Sequence, residues 1–212
     1  MSQKLLQAVA QNTRFRLVNL LKRTQGLSVQ EIADHLDMSY MGVKESCQDL
    51  ERRGLVDARR EPKPDGTTGR PRMVYRLTDR AHELFPVASN PLTLEVLDAA
   101  RRLHGPAGPE KLLLLVWQQK AISLSEKVKG ETVLERAISL AKIRDAEGHM
   151  AVVEGEGEWR IVEHHCPFLD LIREYPIIVK LETEMFAKVL KAEVRREEVS
   201  SGGLVRVEYF LQ

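Results

Sequence analysis

The chain has 212 residues, a formal net charge of +1, and 43% hydrophobic and 30% charged residues, a balance that excludes a disordered chain and suits two modest globular domains. Its longest apolar run, Leu112–Trp117, is far too short to span a bilayer. Two cysteines give no disulfide framework and no signal peptide is visible, so a cytoplasmic location is expected. The charge is unevenly spread: residues 1–88 carry 15 Lys/Arg against 11 Asp/Glu, and residues 89–212 carry 17 against 20. A basic first half joined to an acidic second half fits a nucleic-acid-binding module attached to something else.

Lys4–Thr24 reads as one amphipathic helix, with Leu5, Leu6, Val9, Phe15, Leu17, Val18, Leu20 and Leu21 as its core set and Gly26 as its end. In Ser28–Gly54, Ser28 with Glu31 forms a capping box that opens a short helix carrying Ile32, Ala33 and Leu36. Ser39 caps a second helix after a tight turn. There Val43, Cys47 and Leu50 face inward, which leaves Tyr40, Met41, Lys44, Glu45 and Gln48 outward. This is the helix-turn-helix arrangement that enters a DNA major groove. Leu55–Glu61 and Met73–Leu77 read as strands around the loop PKPDGTTGRPR. Three helices and a β-hairpin make a winged helix. Residues 52–80 hold nine Lys/Arg against four acids, a density that suits contact with backbone phosphates. Ser39, Tyr40, Met41, Lys44, Glu45 and Gln48 are therefore the expected DNA-facing residues of the helix. Arg59, Arg60, Lys63, Arg70 and Arg72 are those of the wing, with Arg70 or Arg72 able to reach a minor groove.

Thr78 caps a short helix through Phe85, and Asn90-Pro91 marks a boundary. Thr93–His104 and Pro109–Lys129 read as two helices. The second opens with Leu112, Leu113, Leu114, Leu115, Val116 and Trp117. A helix apolar all round must be covered on every side, and a second copy of it is a natural cover, so a homodimer interface is expected here. Thr132–Gly148 is another helix with a second capping box, Thr132 with Glu135. Met150–Val153 and Trp159–Val162 form a hairpin that ends in His164-His165-Cys166-Pro167. Helices at Phe168–Arg173 and Pro176–Leu190 follow, then strands at Glu193–Val199 and Leu204–Leu211 around Ser200–Gly203. The expected fold class is α+β: an N-terminal winged helix-turn-helix over residues 1–88, a helical dimerisation linker over 89–130, and a C-terminal α+β sensor-like domain over 131–212.

The order of winged helix, GRPRMVYRLT, helical linker, GHMAVVEGEGEWRIVEHHCPF and YPIIVKLETEMFAKVL resembles the SufR-like repressors. The resemblance covers nearly the whole chain. The C-terminal pattern, a hairpin running into Cys-Pro-aromatic, then Tyr-Pro and a Glu-bearing helix, is more specific than the wing. It implies a homodimer that binds operator DNA and senses an iron–sulfur cluster held by several cysteines. Cys166 matches the first of these. Where the next is expected the chain has Ile178, Val179 and Lys180, and the nearest candidates for later ones are Ala192, Val199 and Val207. A cluster is normally held by three or four thiolates, and no cysteine follows Cys166, so one chain cannot supply them and no cofactor is expected. On an extended strand His164 and Cys166 share a face and His165 points away, which falls short of a metal site as well.

No Gly-rich phosphate loop precedes a helix, and neither GxSxG nor HExxH occurs, so no catalytic residue is nominated and no enzyme is expected. The residues read as a cytoplasmic, homodimeric regulator, expected to repress, whose partners are duplex DNA, a second copy and an effector of unknown identity. Two alternatives stand beside it. In one, the wing and domain bind a protein and read no DNA. In the other, valines in place of cysteines make an apolar pocket in the C-terminal domain that takes a small molecule.

Overall fold

A computed structural model describes residues 13–24, 26–62, 71–85, 91–201 and 204–212, and the chain divides into two compact units, the first taking in the residues up to Phe85 and also residues 200–201 and 204–205. The expected core residues Leu5, Leu6 and Val9, the wing residues Lys63 and Arg70, and the centre of the Ser200–Gly203 turn lie outside the described residues.

The first unit runs α1 (Thr13–Thr24), β1 (Leu27–Ser28), α2 (Val29–Leu36), α3 (Tyr40–Arg52), β2 (Val56–Glu61) and β3 (Arg72–Leu77), then a 3-10 turn at Asp79–Leu84. The capping box forms as the spacing requires: Glu31 N–H donates to Ser28 Oγ at 3.3 Å and Ser28 N–H donates to Glu31 Oε2 at 2.7 Å. Asp37 takes a left-handed conformation (φ 53°), and Met38 N–H returns to the Ala33 carbonyl, which stops α2 and turns the chain sharply. Ser39 Oγ then accepts from Gly42 N–H and starts α3. Leu17, Leu21, Ile32, Val43, Cys47 and Leu77 are fully buried, and each contributes about 1.5–3 kcal/mol of apolar burial. The three-stranded sheet has the order β1-β3-β2 and is antiparallel throughout, with Val56 opposite Leu77 and Ala58 opposite Tyr75. Strand β1 escaped the sequence reading because two residues carry no period. Phe15, expected in the core, is 41% exposed: it lies on the flank of the stripe set by Leu17, Val18 and Leu21.

The second unit starts with α4 (Pro91–His104) and α5 (Gly108–Lys127), then α6 (Val133–Arg144), β4 (Ala151–Glu154), β5 (Arg160–Glu163), α7 (Leu169–Glu174), α8 (Ile177–Leu190), β6 (Val194–Ser201) and β7 (Leu204–Leu211). The second capping box, Thr132 with Glu135, opens α6. Helix α6 ends earlier than the period predicts, at Arg144. A wide turn over Asp145–His149 follows, with Gly148 at φ 95° where a side chain would be strained. The four-stranded sheet has the order β4-β5-β7-β6, with Ile161 opposite Tyr209 and Glu163 opposite Val207. Ile178, Phe186, Leu140, Ile161 and Tyr209 form the fully buried centre, and the Phe186 and Tyr209 rings stack at 3.9 Å.

Helices α4 and α5 pack together at a tight corner. A Cβ at Gly108 would lie 2.4 Å from the Ala100 carbonyl oxygen, so the close approach requires glycine. Within the apolar run, Leu113 and Trp117 point into the unit's own core, at 4% and 5% exposure. They are therefore not free to meet a second copy, as the all-round apolar pattern led one to expect. Leu112, Leu114, Leu115 and Val116 are exposed. Among the described residues no helix is long and apolar enough to cross a membrane.

Candidate nucleic-acid interface and the interior of the second unit

Helix α3 divides cleanly. Val43, Cys47 and Leu50 are buried, and burial together with the Glu51 charge pushes the Cys47 thiol up to about 12, so this residue packs and does not react. Tyr40 (48% exposed) and Met41 (59%) project outward, as do Glu45 and Gln48, and Lys44 is half-buried at their side. The helical period puts all five on one face. Ser39 is exposed, but its hydroxyl already accepts from Gly42 N–H as the cap. Asp49, next to this face, draws in Arg14 (3.0 Å), Arg53 (3.1 Å) and Arg52 (3.4 Å).

The wing arginines fall into two groups. Arg60 is exposed with no ion pair among the described residues, and Arg59 is exposed with Asp57 at 2.7 Å. Arg72 differs. Its guanidinium donates to Glu31 Oε1 at 2.5 Å, so it joins the last wing strand to the capping box of α2. Burial alone would raise the Glu31 carboxyl, but its hydrogen bonds from Ser28 and Arg72 outweigh that and hold it below the usual range. An arginine so engaged ties the base of the wing to α2.

The interior of the second unit holds a group of charges that sequence reasoning missed. Arg144 is 1% exposed. Its Nε donates to Glu163 Oε1 at 2.6 Å, and its Nη2 donates to Glu163 Oε2 at 3.2 Å and to Glu182 Oε1 at 2.8 Å. His149 Nδ1 lies 3.0 Å from Glu163 Oε2, and Tyr209 O–H donates to Glu182 Oε2 at 3.3 Å. Burial would lift the Glu163 carboxyl, but Arg144 and His149 overcome it and bring it down to about 2. Burial likewise disfavours the Arg144 charge, and the two carboxylates outweigh that and hold its proton more tightly. The only local signal was faint: Glu163 and Glu182 sit at core-facing positions of a strand and a helix, which calls for a buried cation to match.

Cys166 lies just past β5, and burial, with the Glu182 charge, pushes its thiol up to about 12, which disfavours the thiolate a metal needs. Val207 is buried and Ala192 and Val199 are half-buried, as is Val179 where the next cysteine is expected, so these four positions offer no side-chain donor atoms. Among the described residues no three His, Cys, Asp or Glu side chains converge as metal ligands. The donor set does not fit an iron–sulfur cluster, since one protonated thiol beside a buried guanidinium supplies neither the thiolates nor the negative charge it requires.

The apolar space of this unit is elsewhere. A cleft of about 500 Å³ opens between α4, α5 and α7, lined by Leu92, Val96, Val116, Trp117, Phe168 and Lys120 among others. The valines at positions 179, 199 and 207 do not line it.

Residues 11–66 match the model of the MarR family, a match that takes in the three helices and the first wing strand and supports a DNA-binding transcriptional regulator. It stops short of the second unit, on which the resemblance to SufR-like repressors rests. No curated protein and no solved structure matches the chain.

Proposed function

We propose that the chain is a homodimeric regulator that occupies operator DNA through α3 and the wing and represses transcription without an iron–sulfur cluster. The observation that carries this reading is the outward face of α3. Tyr40, Met41, Lys44, Glu45 and Gln48 lie on one side of a helix whose other side is buried, beside a wing with the free cation Arg60. Tyr40, Met41, Lys44 and Glu45 face base edges, while Gln48, Arg59, Arg60, Lys63 and Arg70 meet phosphate and sugar. The second copy docks on the far side of α5 from the core, where Leu115 and Ile122 share a stripe and are 60% and 47% exposed.

The experiment is selection of duplexes from fragmented genomic DNA by the purified protein, followed by a salt titration on the enriched sequence. The expected product is a site with two half-sites about 34 Å apart or a multiple of that. Affinity should fall steeply with salt, and Arg60→Ala should flatten the log–log slope by about 0.9. Leu115→Asp should yield monomers with weakened binding. Recovery of no enriched duplex, or salt-independent binding, overturns the reading.

A further inference from the structure

The cleft between α4, α5 and α7 is apolar along its walls and floor but carries one cation at its edge. Leu97, Leu113, Phe168 and Leu171 are buried beneath it, and Leu92 and Val96 on α4 face Leu112 and Val116 on α5. Lys120, one turn beyond Val116, holds its ammonium 5.2 Å from the Trp117 ring centre and 5.5 Å from that of Phe168. No carboxylate pairs with Lys120 among the described residues, although 20 Asp/Glu lie in residues 89–212. Trp117 is 95% buried by complement of its 5% exposure, and its indole N–H has no acceptor among the described residues. A buried donor without an acceptor is unfavourable, which is a reason to look for a group that supplies one.

We propose that this cleft is a binding site for an amphipathic monocarboxylate, its hydrocarbon body laid between α4 and α5 and its carboxylate on Lys120. The volume lies in the range of small-molecule sites, about 300–1,000 Å³. An aliphatic chain matches walls made of Leu and Val, and the ring faces of Trp117 and Phe168 hold the ammonium at the mouth. A second copy of the chain is a poorer occupant. Its apolar side chains would bury Lys120 without a counter-charge. Leu115 and Ile122, proposed above for the dimer, lie on the side of α5 opposite Leu113 and Trp117, so the two surfaces are separate. This site goes beyond the DNA-binding reading and does not depend on it.

The test needs no DNA. The chain has two tryptophans, so Trp159→Phe leaves Trp117 as the sole indole reporter. Decanoate, kept below its micellar range, should change Trp117 fluorescence saturably, with one site per chain by calorimetry. Decanol, equal in length but uncharged, should bind roughly tenfold more weakly or worse, as the loss of one charge-assisted contact implies. Lys120→Met should reduce decanoate affinity by a similar factor and leave decanol unchanged. Val96→Trp, at a 53% exposed position that tolerates a larger side chain, should fill the cleft and abolish both. Absence of saturable binding overturns the proposal. So does equal affinity for decanoate and decanol with Lys120→Met unaffected. Decanoate binding that weakens as the protein is concentrated into dimers also overturns it, because the second copy would then be the occupant.

Discussion

Both units carry arginines paired to carboxylates at the surface, but only the second buries one among the described residues. In the first, the side chains of Arg52, Arg53 and Arg59 are 78%, 57% and 55% exposed and rest against carboxylates at the surface. In the second, Arg144 is sealed in the core between Glu163 and Glu182. A surface guanidinium gives up little when it exchanges an aspartate for a phosphate, which suits recognition. A buried one cannot exchange its partners without leaving charge stranded in a medium that solvates it poorly. The same side chain is thus a movable contact at the surface and a fixed structural pin in the core.

Arg144→Met puts the largest strain on that contrast. It leaves two carboxylates uncompensated in the core and should cost about 3–5 kcal/mol in urea unfolding of the second unit. Arg60→Met in the wing should stay within about 0.5 kcal/mol. Adding Glu163→Gln and Glu182→Gln to Arg144→Met should recover most of the loss. Similar costs for Arg144→Met and Arg60→Met would erase the distinction between the units.

Acid sharpens the comparison at somewhat smaller cost. The Glu163 carboxyl is held at about 2 in the folded chain against an ordinary value of 4.5. A carboxylate lowered on folding adds stability that is complete above its unfolded value and vanishes as pH falls through its folded one. The second unit should therefore lose on the order of 3 kcal/mol between about pH 5 and pH 2. Tryptophan fluorescence at fixed urea reads this out, because both tryptophans belong to residues 91–201. A flat response across that range would show that Arg144 does not control this carboxyl.

The smallest effect belongs to the first unit. Ser28→Ala removes the cap of α2 and should cost about 1 kcal/mol. It also frees the Glu31 backbone N–H, next to the carboxylate that pairs with Arg72, so the wing base should loosen with it, measured as faster amide exchange at Val74 and Tyr75. Unchanged exchange there would mean that the capping box and the wing are independent.

Much of the first unit was legible in the sequence because its signals are local. Ser28 with Glu31, Ser39 after a break in the period, and Gly54 beyond the last apolar residue each specify a helix boundary within a few positions. The outward face of α3 followed from the period alone. The tie between Arg72 and Glu31 went unseen because the two lie 41 residues apart, one on β3 and the other on α2. The same limit explains why the Arg144 cluster was missed: its contacts span 19 and 38 residues, and nothing in the local pattern of α6 marks Arg144 as inward. The apolar run of α5 misled in a further way. Six consecutive apolar residues carry no phase, so the sequence could not say that Leu113 and Trp117 turn inward while Leu115 turns out.

The contact of Gly108 with the Ala100 carbonyl has a mechanical consequence. It fixes the corner from which α4 and α5 run, and Leu92 and Val96 on the one and Leu112 and Val116 on the other line the cleft. The obstacle to a methyl group at the corner is backbone, which does not swing aside as a side chain would. Gly108→Ala would therefore drive the two helices apart as a wedge, and a helix of 20 residues, about 30 Å long, multiplies a small tilt at one end into a larger gap further along. A change at Gly108 would thus act on the cleft without touching a side chain that lines it.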